Sequence, residues 1–293
     1  MRRTLIAACF FCLVAITAVA QRPARQAESF ITSNEARTQT KLALEHDRAG
    51  RYAEAINAYQ RALKSAPNDA GLYNNLGNAL ASAGRFDEAI GALQRARELN
   101  SDFRTLVHIN LAFVYAQLNR KAEAFAALKE ATAAKSKSIK EQAGLCELQL
   151  VLEQNREATA CYEHLLPLAP ADARAYANLG IALIVLERYD VAIAHLLDTI
   201  KRFPNHACAF SALGSALLYR GRKKEAIVSL KQALELDPLH GPAHFSLGLA
   251  QLANNDRRAA IEQYVFLKQS NSALAQRLYE RIFGGRIVFA ERK

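Results

Sequence analysis

The chain has 293 residues, 51% hydrophobic and 23% charged, with no tryptophan. That balance excludes a disordered, collagen-like or low-complexity protein and leaves enough apolar surface for a core. The formal charge is +10, but Lys and Arg are interspersed with Glu and Asp throughout, so the excess reads as a solvated surface and no nucleic-acid partner is expected.

At the N-terminus, Arg2 and Arg3 precede an apolar run from Leu5 to Ala20, and Ala18-Val19-Ala20 forms a small-x-small site before Gln21. This predicts a secretory signal peptide over 1–20, hence an exported protein, periplasmic or extracellular. The alternative is an uncleaved N-terminal anchor tethering the protein to a membrane, since the run is near the lower limit for crossing a bilayer. No stable membrane span is expected after cleavage. Residues 21–35 read as a linker.

Beyond the linker one period dominates. Leu42, Leu76, Leu111, Leu145, Leu179, Leu213 and Leu247 recur at steps of 34 or 35 residues, six of them followed by Gly or Ala. Ala55, Ala89, Ala124, Ala158, Ala192, Ala226 and Ala260 keep the same steps. A fixed period of this length marks stacked repeats. In 70–103, Leu76, Gly77 and Leu80 share one helical face, Gly84 breaks the helix, and Ala89, Leu93 and Ala96 mark a second helix. The small residues let the two helices approach closely. Pro67, Pro170, Pro204 and Pro238 end second helices. Gly50, Gly84 and Gly221 mark the turn within a unit, with Asn119 and Asn255 as tolerable substitutes; Glu153 and Glu187 fit poorly and predict a different turn geometry there.

This pattern resembles the tetratricopeptide repeat (TPR) family, as found in exported bacterial-type proteins. Seven units fit: 36–69, 70–103, 105–138, 139–172, 173–206, 207–240 and 241–274. Tyr73, Tyr176 and Phe210 stand where the family usually places tryptophan; His108 and His244 share that slot and are expected to pack as flat rings. Leu274, Leu278, Tyr279 and Ile282 predict a capping helix over 273–283 that turns Arg277, Glu280 and Arg281 outward. Residues 284–293 form a tail. The implied fold is an all-α, right-handed superhelical solenoid over 36–283.

Catalytic motifs are absent: no phosphate loop, no nucleophile elbow, no paired-cysteine zinc pattern. His240 and His244 are four apart, but Gly241-Pro242 intervenes, so no metal is assigned. No catalytic residue, cofactor or enzymatic activity is expected. Cys146 and Cys161 fall on the two helices of one unit, at similar heights in an antiparallel hairpin turning near Glu153-Gln154. They are a candidate disulfide in an oxidising compartment; the alternative is that each is a small buried residue.

The resemblance implies that the first helices of successive units line a concave groove that binds a peptide or partner segment. The stripe offset from the Leu–small row supplies the candidates: Asn74, Asn75, Asn78, Ile109, Asn110, Phe113, Asn178, Ile181, Ile184, Val185, Leu218, Tyr219, Phe245 and Leu249. Asn75, Asn110 and Asn178 align at one position, like the asparagine rows of the O-linked N-acetylglucosamine transferase repeats, but Lys41, Gly144, Ala212 and Ser246 interrupt the row. The expected function is a non-enzymatic scaffold or adaptor in the cell envelope or secreted space, holding an amphipathic or apolar protein segment. Ile184→Lys is expected to weaken capture without unfolding the repeats. One alternative is an accessory role in polysaccharide export or to a glycan-acting enzyme. Another is a self-assembling structural protein, with self-association through the groove or the cap.

Overall fold

The computed structural model describes residues 34–99, 104–134, 138–269 and 273–284. The expected signal peptide, nearly all of the linker and residues 285–293 lie outside them. The described residues form fifteen α-helices and no strand: α1 (Asn34–Arg48), α2 (Tyr52–Ser65), α3 (Ala70–Ser82), α4 (Phe86–Leu99), α5 (Arg104–Gln117), α6 (Lys121–Ala133), α7 (Ile139–Val151), α8 (Asn155–Leu165), α9 (Ala173–Val185), α10 (Tyr189–Arg202), α11 (Ala207–Tyr219), α12 (Lys223–Leu236), α13 (Gly241–Ala253), α14 (Arg257–Gln269) and α15 (Ala273–Phe283). The fold is an all-α helical repeat. The helices group into two compact units, α1 to α7 in one and α8 to α15 in the other, with the boundary between Gln154 and Asn155.

First helices start at a repeated capping position. Asp69 accepts from the amide of Leu72 at 2.9 Å, Ser138 from that of Glu141 at 3.4 Å, and Asp172 from those of Arg174 and Ala175 at 3.1 Å. His206 does the same through Nδ1 with Ala209, at 3.3 Å. Each satisfies an amide that the helix itself leaves unpaired, a contribution of about 1 kcal/mol.

The turn between paired helices is also repeated. Asn119, Glu153, Glu187 and Asn255 have positive φ, as do Gly50, Gly84 and Gly221. In each turn this residue's amide reaches back three residues, and the next amide reaches back five. Gly84 bonds Ala81 and Arg85 bonds Leu80; Glu187 bonds Ile184 and Arg188 bonds Leu183. The second bond is the one that closes a Schellman turn. The distinct geometry expected at Glu153 and Glu187 is therefore corrected. Both adopt the left-handed turn, at φ 62° and 59°, because the packing of the two helices fixes the backbone path and the side chain must accept it.

The alanine row is the innermost layer: all seven alanines are 0% exposed. Opposite it, a Cβ added at Gly77 would stand 2.6 Å from Leu93 Cγ, at Gly180 2.5 Å from Leu196 Cδ2, and at Gly214 2.5 Å from Leu230 Cγ. Each is a leucine of the paired second helix lying flat on glycine backbone. In the last pair this second-helix position is Tyr264, and a Cβ at Gly248 instead meets Leu278 Cδ2 of α15 at 2.7 Å. The final helix supplies the leucine that its neighbour lacks, joining Phe245, Leu267, Leu274 and Ile282 in one cluster. Leu42, by contrast, is 38% exposed; among the described residues no helix precedes α1.

Gly84 has φ 75° and nothing within 4 Å of an added Cβ. Gly84→Ala therefore isolates backbone strain from sterics and should cost about 1 kcal/mol, read as a lower urea midpoint at unchanged m-value.

Candidate functional site

The asparagines expected to face a partner are largely committed within the protein. In the first unit, Asn110 on α5 donates through Nδ2 to Asn74 Oδ1 on α3 at 2.8 Å. Both are buried, so the pair ties successive first helices together. In the second unit, Asn178 on α9 donates to the hydroxyl of Tyr162 on α8 at 3.0 Å. Asn75 differs: it is buried, and its Nδ2 has no hydrogen-bond partner among the described residues. Asn75, Asn110 and Asn178 share a sequence position but do not act as one ladder. Asn78 is buried as well.

The apolar stripe is less accessible than the sequence suggests. Ile109 and Phe113 belong to the core cluster of the first unit, with Leu76, Leu80 and Leu148. In the second unit Ile181, Ile184 and Phe245 are buried, Ile184 at 0% exposure, and Leu249 packs in the cluster beneath α15. A lysine at Ile184 would bury a charge, so the expectation that Ile184→Lys spares the fold is corrected. What remains partly open is Asn178, Val185, Leu218, Tyr219 and Leu252. Val185 and Tyr219 are 34 residues apart, as are Leu218 and Leu252, so the half-buried positions recur from one first helix to the next. Tyr219 stacks on Tyr189 with ring centres 5.0 Å apart and planes at 9°.

Two of the aromatic-slot expectations meet different surroundings. The ring of His244 stacks on Phe266 at 3.7 Å and 20°, flat as expected, and its nitrogens lie near Gln263 Oε1 and the Pro238 carbonyl. Tyr176 is held between the ring of His195 and the guanidinium of Arg202, which also donates to its hydroxyl at 2.7 Å. Among the described residues no group of three or more His, Cys, Asp or Glu is placed to hold a metal ion, and no helix is long and apolar enough to cross a membrane. Arg277, expected to point outward, is half-buried with its guanidinium 5.3 Å from the Phe245 ring centre. Hydrophobic periodicity gives no sign of this, because a long side chain can lay its stem and head along the apolar surface of a neighbouring helix.

The buried titratable groups are of two kinds: a carboxyl that burial pushes up, and histidines that burial holds down, His108 in the first unit among them. Asp47, at the end of α1, is 8% exposed. Its Oδ2 accepts from the Tyr59 hydroxyl at 3.0 Å, and its Oδ1 has no partner among the described residues. Burial pushes its carboxyl up to about 6, against the lowering effect of the Tyr59 hydrogen bond. In the second unit, burial holds His206 below its usual value, helped by Arg174 and His240 and opposed by Asp172. Burial also lowers His240, against the raising influence of Asp237. His206 must stay neutral at Nδ1 to cap α11.

Paired helices, a shared left-handed turn and a row of fully buried alanines define an α-helical repeat protein. The chain belongs to the tetratricopeptide repeat family, whose models match residues 40–102, 147–207 and 211–265 and residues 107–138. Proteins of this family generally mediate protein–protein interactions. No curated protein matches the chain. Among solved structures, a tetratricopeptide repeat protein from Parabacteroides merdae superposes with TM-score 0.68 at 14% identity, covering 86% of this chain and all of that one. The APC/C hetero-tetramer Cut9–Hcn1 gives 0.62 at 21% identity, with 76% of this chain aligned to 44% of that chain. The pilF protein of Pseudomonas aeruginosa gives 0.54 at 16% identity over 72% of this chain and 97% of that one. The chain thus spans under half of the Cut9–Hcn1 chain it matches.

The titrations run in opposite directions. Asp47 takes a proton more readily folded than unfolded, so its contribution improves as pH falls from above 6 towards 4. His206 and His240 take one less readily folded, so their contribution is complete above about 6.5 and is lost as pH falls below it. Asp47→Asn should therefore stabilise the protein at pH 7, by up to about 3 kcal/mol, and the gain should vanish near pH 4. His206→Asn, which keeps a capping acceptor, should flatten the acid loss of the second unit, followed by hydrogen exchange of α11 between pH 7.5 and 5.

Proposed function

We propose that this chain is an exported, non-enzymatic adaptor that binds a segment of another protein along the first helices of its repeats. The observation that carries the reading is the recurring half-buried set in the second unit, Val185, Leu218, Tyr219 and Leu252. Solvent reaches these apolar and aromatic side chains at equivalent positions of successive helices, where an apolar or amphipathic segment would gain by covering them. These four side chains, each contributing on the order of 1 kcal/mol, give about 4 kcal/mol before the entropy of association is subtracted, so they supply part of the affinity and a stable complex needs further contacts from the same segment.

Export rests on the N-terminal Arg2-Arg3, the apolar run and the Ala18-Val19-Ala20 site. In that setting we infer that Cys146 and Cys161 are joined as a disulfide. The pairing is supported by their places on the consecutive helices α7 and α8 and by an oxidising compartment, which permits the bond. Thiol labelling of unreduced exported protein should modify Cys208 alone, rising to three sites after reduction; three labelled sites before reduction would contradict the bond.

Photo-crosslinkers at Leu218 and Tyr219 should capture one protein partner in cells, identified by mass spectrometry. Leu218→Lys, at a half-buried position, should leave the helical circular dichroism unchanged and weaken that capture about tenfold or more. Equal capture by the folded variant would remove this face from the interaction.

A further inference from the structure

Several arginines of this chain are supplied with acceptors. Arg85 pairs with Glu88, Arg95 with Glu98, Arg222 with Glu225, and Arg220 with Asp190, all on open surface. Arg202, exposed beside the rings of Tyr176 and Phe203, donates to the Tyr176 hydroxyl and also reaches the Pro170 carbonyl at 3.4 Å.

Arg277 differs from these. It projects from α15 against α13, half-buried, with its guanidinium over the ring of Phe245, itself 2% exposed. No carboxylate or carbonyl among the described residues accepts from it. A guanidinium carries five N–H donors in a planar fork and stays charged, so removing part of its hydration without an acceptor is costly. Its surroundings increase that cost. Burial is the first influence lowering its proton affinity and Arg281, one turn along the same helix, is the second; Tyr219 and Glu280 oppose them more weakly. The wall around it is apolar and aromatic: Tyr219 stacked on Tyr189, with Leu218, Leu249 and Leu252 in or against the same cluster as Phe245.

We propose that Arg277 is the anion anchor of the partner-binding face, taking the carboxylate of an Asp or Glu side chain carried within an apolar partner segment. The proposal rests on the segment-binding reading above and names what that segment must contain. Charge complementarity sets the anion: the Arg277 guanidinium lacks an acceptor among the described residues, and a carboxylate matches its fork with two parallel hydrogen bonds. Apolar residues from α11 and α13 surround the position, which favours an acid flanked by apolar residues over one in a charged run. Stacking on Phe245 holds the fork in place before the ligand arrives.

The test uses the full chain and three synthetic libraries of apolar hexapeptides. One carries a single internal Glu with both ends blocked. The second replaces that Glu by Gln. The third has no internal acid but a free C-terminal carboxylate. Retention on immobilised protein is quantified by mass spectrometry for the native chain, Arg277→Gln, Arg277→Lys and the distant control Arg95→Gln. The expected result is about tenfold greater retention of Glu over Gln peptides, abolished in Arg277→Gln, reduced in Arg277→Lys and unchanged in Arg95→Gln. Circular dichroism confirms that the variants stay helical. Equal retention of Glu and Gln peptides would overturn the anchor while leaving segment binding intact. Preference for the third library would overturn the side-chain source. Loss of the Glu preference in Arg95→Gln as well would reduce the effect to general positive charge and overturn the site. Retention of none of the libraries would overturn both this proposal and the reading beneath it.

Discussion

Everything in this fold depends on how closely the two helices of a pair approach. A leucine of the second helix lies on bare backbone of the first at Gly77, Gly180 and Gly214, with no room for even a methyl group. Across that contact the alanine row is sealed from solvent along its full length. Small residues here are a steric requirement. Close packing rewards backbone proximity with dispersion and apolar burial, and any bulk inserted there separates the helices along their length. Given this distance, the connecting turn has one practical path. Glycine, asparagine and even glutamate are drawn into the same left-handed conformation at its apex.

The same constraint determines what is left for binding. A first helix packed against its own partner and its neighbours has little free circumference, so much of the stripe that looks available in sequence is spent on stability. Ile184 and Ile109 are buried, and the Asn110–Asn74 pair uses hydrogen bonds that would otherwise serve a ligand. What stays half-open lies at recurring positions near the ends of the first helices, Val185, Leu218, Tyr219 and Leu252, with Arg277 leaning over Phe245 beside the last of them. Buried ionisable groups add a second character to each unit. Asp47 holds a charge poorly solvated at neutral pH, whereas the capping His206 must avoid one, so acid acts on these two groups with opposite sign.

The sequence alone determined the helical repeat, its period, its turn positions and its small-residue contact, because these follow from short-range sterics and a spacing that can be counted. The family follows from the same rows. It also marked Leu278 as part of a final helix, from its periodicity with Leu274 and Ile282. Only the tertiary structure decided which of the many apolar side chains remain reachable. Exposure depends on what each helix meets on its other sides, and a helix apolar nearly all round, such as α9, carries no mark of which side is covered. The packing likewise decided that Glu187 takes a glycine's conformation, that Leu278 stands in for the second-helix leucine replaced by Tyr264, and that Arg277 folds inward over Phe245. Each results from long-range contact competing with a local preference, and the contact, made between residues distant in the chain, prevails.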